Sequence, residues 1–199
     1  KVLETELKEK SDQQIMILAH NKSLLTYLYK AVEERNIASV GYYIGGMKEE
    51  ALKQSETKTV IIATYSMASE ALDIKSLTTL IMATPKTDIE QAVGRILRVK
   101  HERPLVVDIV DSHEVYQRQW CKRKKFYIKN NYKIIKSNNI NYINNIWLNE
   151  YIPVDKKAKK TKKTKKNNEK EELEDNDSDT EHSYTPKKSI PKGKCMIKL

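Results

Sequence analysis

The sequence predicts an α/β fold: a parallel sheet with helices on both faces, followed by a basic helical extension and a disordered C-terminal tail. Three observations carry that expectation. Short apolar runs alternate with helix-periodic segments up to residue 112, a basic stretch interleaved with aromatics comes next, and past Pro153 the composition breaks into blocks of charge. The boundaries drawn from these shifts are 1–112, 113–152 and 153–199.

The apolar runs cover residues 15–19, 40–44, 60–64, 80–84 and 105–110. Their apolar residues are consecutive rather than alternating, which suits strands buried on both faces, as in a parallel sheet. Helices are expected between them at 24–34, 47–54 and 89–97. In the first, Leu24, Leu25, Leu28 and Val32 recur at helical spacing, and Asn21 or Ser23 can cap the start. Strands alternating with helices of this length argue for a parallel sheet covered on its faces.

Ligands of open α/β sheets bind beyond the carboxyl ends of the strands, so the residues that end each run are the candidates. After 15–19 come His20, Asn21, Lys22 and Ser23. A helix starting there offers free N–H groups and a favourable dipole to a phosphate, and Lys22 adds charge. The run 40–44 ends in the pair Gly45-Gly46, and 60–64 ends in Thr64, followed by a loop holding Glu70, Ala71 and Asp73. The run 80–84 leads through Pro85 and Asp88 to Gln91-Ala-Val-Gly94-Arg95-Ile-Leu-Arg98. Two arginines three apart lie on one helix face, where their planar donor forks suit phosphate oxygens. Asp88 and Gln91 also have capping-box spacing, so Gln91 has a structural role open to it.

Taken in order, these segments resemble motifs IV, V and VI of superfamily 2 helicases and translocases, over residues 10–112 or so, about half of the chain. The resemblance implies the second RecA-like domain of such a motor. It implies catalytic roles for Arg95, Arg98 and Gln91, with the arginines on the transferring phosphoryl group. Asp73 would hold the nucleotide ribose, with Glu70 and Gly94 on the same side. Lys22, Gly45, Gly46 and Thr64 would meet the nucleic-acid backbone. Ala71 departs from the pattern, standing where the family usually has glycine. The nearest branch includes DNA-repair, transcription-linked and large-DNA-virus helicases, so DNA is expected over RNA.

The chain contains no G-x-x-x-x-G-K-[ST] and no D-E-x-[DH]. Val106-Val-Asp108 imitates a strand ending in a magnesium-binding acid but lacks the acidic neighbour, and is expected to be the last sheet strand with its exit residue. A triphosphate needs a phosphate cradle, a magnesium ligand and a water positioner. ATP with Mg²⁺ is therefore expected to be held mainly by a first RecA-like domain, joined in cis or in trans. The start at Lys1 fits a fragment or a split domain. On its own the chain is expected not to hydrolyse ATP. The competing reading is a stand-alone nucleic-acid-binding module; the spacing of Gln91, Arg95 and Arg98 favours the motor, since a pure binder has no use for it.

The net charge of +10 is unevenly placed. Residues 1–117 hold 15 basic and 17 acidic residues, whereas 118–136 hold eight basic residues and no acid, with Trp120, Phe126, Tyr127 and Tyr132 among them. Basic side chains can neutralise phosphates while aromatics stack on bases. Alternatively, the aromatics pack on the core and the lysines stay solvated. Residues 156–166 include eight lysines and 169–181 eight acids, too little apolar surface to offset chain entropy. No apolar run reaches membrane-spanning length, no signal peptide is visible, and Cys121 and Cys195 form no metal spacing. A reduced intracellular chain with no membrane partner is expected.

Overall fold

The computed structural model describes residues 1–9, 12–70, 74–96, 104–153 and 195–198. The first half alternates as expected: α1 (Val2–Glu9), β1 (Gln14–Ala19), α2 (Lys22–Glu34), β2 (Val40–Tyr43), α3 (Glu49–Glu56), β3 (Val60–Thr64), α4 (Tyr65–Glu70), β4 (Leu77–Met82), α5 (Glu90–Ile96) and β5 (Leu105–Asp108). These five strands are all parallel and ordered β2-β3-β1-β4-β5. Strand β4 begins three residues earlier than its apolar run suggested. Its polar start is satisfied: Thr79 Oγ1 donates to Gln13 Oε1 at 2.9 Å and Thr78 Oγ1 to the Gln14 carbonyl at 3.2 Å.

Strand parity divides the core into two layers. Ile15, Ile17, Val60, Ile62, Ile81, Leu105 and Val107 pack with Leu3 of α1 and with Leu25 and Val32 of α2. The intervening Met16, Leu18, Ile61, Ala63, Leu80, Met82 and Val106 pack with Ala68 of α4 and with Ala92 and Val93 of α5. Successive side chains of a strand point to opposite faces, which is why each run had to be apolar throughout. Parity also places Asp108 on the same face as Val106, below the helix that follows.

Beyond β5 the chain forms α6 (Glu114–Lys129), β6 (Lys133–Lys136), α7 (Asn139–Ile143), β7 (Leu148–Tyr151) and, from the end of the tail, β8 (Cys195–Lys198). Two features add to the expected elements here. The extension 113–152 is not simply helical, because an antiparallel β6–β7 pair follows α6. Ile134 and Ile135 are both buried, one in each core layer, so the short strand is held by packing despite its flanking lysines. Asn131 (φ 61°) and Asn145 (φ 55°) make the left-handed turns into β6 and β7, a backbone conformation that asparagine tolerates well. At the end of the chain, β8 runs parallel between β5 and β6, pairing Leu105 with Cys195 and Lys133 with Cys195. Its backbone satisfies the edges of both neighbours.

Candidate nucleic-acid interface

Each parallel strand delivers its last residue to the carboxyl edge, and three neighbouring strands build one cavity there. Strand β1 ends at Ala19, and Asn21 caps α2, its Oδ1 accepting from the Ser23 N–H at 3.0 Å and the Ser23 hydroxyl at 2.7 Å. This sets Lys22 in the first turn of α2. Strand β3 ends at Thr64 and passes directly into α4, with the Thr64 and Ser66 hydroxyls 3.3 Å apart. Strand β4 ends at Met82, and the loop after it leads to α5, whose start is steadied by the Glu90 N–H donating to Asp88 Oδ1 at 3.2 Å.

Tyr65 ties the three junctions together. Its hydroxyl donates to the Thr84 carbonyl at 2.5 Å, and its ring lies 4.6 Å from the His20 ring. The His20 N–H donates to Thr84 Oγ1 at 3.0 Å, and Lys86 Nζ sits 5.1 Å above the Tyr65 ring. Around this centre lies a cavity of ≈ 580 Å³ lined by His20, Lys22, Thr64, Tyr65, Ser66, Ser69, Lys86 and Gln91. Among the described residues the lining holds two ammonium groups, three aliphatic hydroxyls, an imidazole and an amide, and no carboxylate. That chemistry suits an anion, and it occurs in a half of the chain with more acids than bases. A second cavity beyond β4 and β5, lined by Thr84, Pro85, Asp111 and Tyr116 among others, carries an acid and, among the described residues, no cation. It is the poorer phosphate site.

Of the residues singled out in the sequence, Lys22, Thr64 and Gln91 are brought together, although 69 positions separate the first from the last. Gly45 and Gly46 follow β2 at the same edge, exposed and with open space at each Cα, but they do not line the cavity. Gly46 has φ +89°, a backbone region that favours glycine. Gly94 is exposed on α5. Glu70 ends α4 and Arg95 lies on α5, while their side chains, and Asp73 and Arg98 entirely, lie outside the described residues. Lys86 and Tyr65 were not identified from sequence as site residues, and His20 was noted only by its place after the first run. No spacing rule marks them; only the convergence of three strand ends does.

The basic stretch needs one correction. Arg123 is 1 % exposed, and its guanidinium grips Asp108 from two nitrogens, Nε to Oδ2 at 2.7 Å and Nη2 to Oδ1 at 3.0 Å. It cannot serve a nucleic acid. Trp120, Tyr127 and Tyr132 are likewise buried, so these aromatics are core and not a stacking surface. Lys124 pairs with Glu150 at 2.9 Å, whereas Lys122, Lys125, Lys129 and Lys136 remain exposed. Asp108, the acid that imitates a magnesium ligand, is committed to Arg123, and Tyr127 Oη lies 3.4 Å from it. Among the described residues no cluster of His, Cys, Asp and Glu is suited to hold a metal ion.

Burial, with the Asp108 carboxylate adding to it, pushes the Tyr65 and Tyr127 phenols well above their ordinary value of 10.0; burial alone does the same to Tyr132. Folded, they stay protonated where the unfolded chain ionises at about pH 10. Their raised values therefore contribute stability that is complete below pH ~10 and is lost as pH rises above it. Thermal melts should show a midpoint insensitive to these groups from neutrality to about pH 9 and falling above about pH 10. Phenolate absorbance from these tyrosines should appear with unfolding. If they ionise normally while the fold persists, their burial is overstated.

The comparisons agree with this architecture. The helicase conserved C-terminal domain matches residues 1–100. A protein of Acanthamoeba polyphaga mimivirus named for an ATP-dependent RNA helicase is 43% identical over 127 residues, 61% of this chain and 24% of the relative. One of African swine fever virus, named in the same way, is 31% identical over 132 residues, 61% of this chain and 26% of the relative. The chain thus spans about a quarter of the length of these relatives. The solved C-terminal part of the Fun30 ATPase domain superposes with a TM-score of 0.52 at 10% identity, covering 61% of this chain and 43% of that one, a likeness of fold. With half of its length matched by this one family, and a fold like that of the C-terminal part of the Fun30 ATPase domain, the chain belongs to the helicase conserved C-terminal domain family.

Proposed function

We propose that this chain is the second motor half of an ATP-dependent RNA helicase or translocase, and that a single strand crosses the carboxyl edge over the cavity of Lys22, Thr64 and Gln91. The observation that carries the proposal is the convergence itself: residues from motifs IV, V and VI share one cavity whose described lining is cationic and holds no carboxylate. Contacts from such a surface go to phosphate and sugar and carry little sequence information. RNA replaces the DNA that the motif resemblance implied, because both viral relatives are named for RNA helicases. On the nucleotide side, Arg98 meets the γ-phosphate with Arg95 beside it, Gln91 orients the pair, and Asp73 holds the ribose with Glu70 and Gly94 nearby. The phosphate cradle and the Mg²⁺ ligands belong to the first RecA-like domain, because this chain has neither Walker sequence.

Two measurements test this. The 199-residue chain should not turn over ATP alone and should support RNA-stimulated turnover once joined to the ATP-binding half. It should bind a short oligouridylate more tightly than the matching oligodeoxyuridylate, with an affinity that falls steeply with salt. A variant with the lysines of 156–166 changed to glutamine should bind with a shallower salt slope but still bind. This is preferable to cutting at Pro153, which would also remove β8 from the sheet. Salt-independent affinity, or binding that disappears with those lysines, would exclude the sheet edge as the track.

A further inference from the structure

We infer that Lys86 is a phosphodiester contact of this track and that the buried Asp108–Arg123 pair is the clamp that positions it. The inference rests on the proposed track and adds to it a residue that belongs to none of the three motifs.

Lys86 lies in the loop between β4 and α5, half-buried, on the wall of the cavity that also holds Lys22. Among the described residues no carboxylate pairs with it, and the Tyr65 ring lies 5.1 Å from its ammonium. That ring stays neutral at physiological pH, so it attracts the ammonium by its π face without cancelling its charge. The remaining N–H donors can meet an anion, and among the described residues the lining offers no competing acid. A lysine on an ordinary surface loop would spread over many rotamers. Here both ends are held: the ammonium by Tyr65, the backbone by Arg123.

The backbone restraint is unusual in its construction. Arg123 spends Nε and Nη2 on Asp108, and its remaining Nη1 donates to the Lys86 carbonyl at 3.0 Å. The guanidinium is itself backed by the Trp120 ring, 5.9 Å away. Asp108 closes β5 and Arg123 lies mid-way along α6, so sheet, extension helix and site loop meet at one charged group. Through it the extension fixes the loop that presents Lys86 and leads into the motif VI helix. A planar guanidinium can hold three acceptors in one fork; a lysine ammonium cannot reproduce that geometry.

The test measures binding of the 199-residue chain to a fluorescein-labelled oligouridylate across a salt series, below the melting temperature of every variant. Each lost phosphate contact lowers the slope of log K against log salt by about 0.7 for a single strand. Lys86→Ala should lose about one such contact and Lys86→Arg should retain it. Arg123→Lys, which conserves charge, should lose the same increment as Lys86→Ala, and the double variant should lose no more than either one. A melting temperature alone does not report this, since a merely structural Arg123 would lower it and leave the slope intact.

Unchanged slope in Lys86→Ala, with a reduced slope in Lys22→Ala, overturns the inference and leaves the track standing. Unchanged slope in both variants removes the track itself. If Lys86→Ala spares the oligonucleotide slope but lowers ATP turnover in the two-domain protein, Lys86 serves the nucleotide and the inference fails. Additive losses in the Arg123→Lys and Lys86→Ala pair overturn the clamp. Should Arg123→Lys fail to fold, Trp120→Phe, which alters the ring behind the guanidinium, must reduce the slope in Lys86-containing protein only; an equal loss in the Lys86→Ala background refutes the coupling.

Discussion

In a protein that joins this domain to its ATP-binding half, Arg98→Ala should lower RNA-stimulated ATP turnover by about a thousandfold or more. Oligonucleotide affinity should stay within a few-fold of the parent, because the proposed track uses a different set of groups. The size of the effect follows from where charge develops: in phosphoryl transfer the protein contributes mainly position and electrostatic stabilisation, and a guanidinium at the γ-phosphate acts in the transition state. Arg98→Lys should recover little, since a point charge does not replace a two-pronged donor. Steady-state turnover at saturating RNA checks the prediction, and near-parental hydrolysis in Arg98→Ala would remove Arg98 from the catalytic role.

The second large effect is on stability. Asp108→Ala or Arg123→Ala removes one member of a pair whose side chains are both 0% exposed and leaves the other buried without its opposite charge. The expected cost is about 3–5 kcal/mol, enough to lower the midpoint of a domain of this size by roughly 10 °C. Replacing both members together, Asp108→Leu with Arg123→Met, should cost far less than either single alanine, because the desolvation penalty of the charges disappears with them. Urea unfolding monitored by circular dichroism distinguishes the three variants. A single alanine variant within about 1 kcal/mol of the parent would mean that water reaches the pair and that it is not a true interior contact.

Much of this architecture could be read from the residues. The consecutive apolar runs declared strands buried on both faces, and the two core layers account for each of them. Asn21 capped the expected helix, and Lys22, Thr64 and Gln91 reached a common cavity. What escaped was tertiary. Arg123 was counted with the basic stretch, yet Trp120, Arg123 and Tyr127 fall at helical spacing on one face, and that face is buried. An arginine on an aromatic stripe needs a buried acid, and Asp108 was the available one. Lys86 gave no local signal at all, because its importance depends on Tyr65 and Arg123 arriving from distant parts of the chain. Strand β6 hid behind its terminal lysines, and β8 is four residues long in a stretch with no periodicity. Arg98 and Asp73, the residues that the motifs mark most clearly, lie outside the described residues.

The claim on which the rest depends is that a strand crosses the cavity at the ends of β1, β3 and β4. Photo-crosslinking with a 4-thiouridine oligonucleotide, followed by mass spectrometry of the adducts, tests it most directly. Adducts on His20, Lys22, Tyr65 or Lys86, reduced by unlabelled oligouridylate and by high salt, are the predicted result. Adducts confined to the lysines of 156–166 or to the exposed face of α6, with none at the cavity, would contradict it.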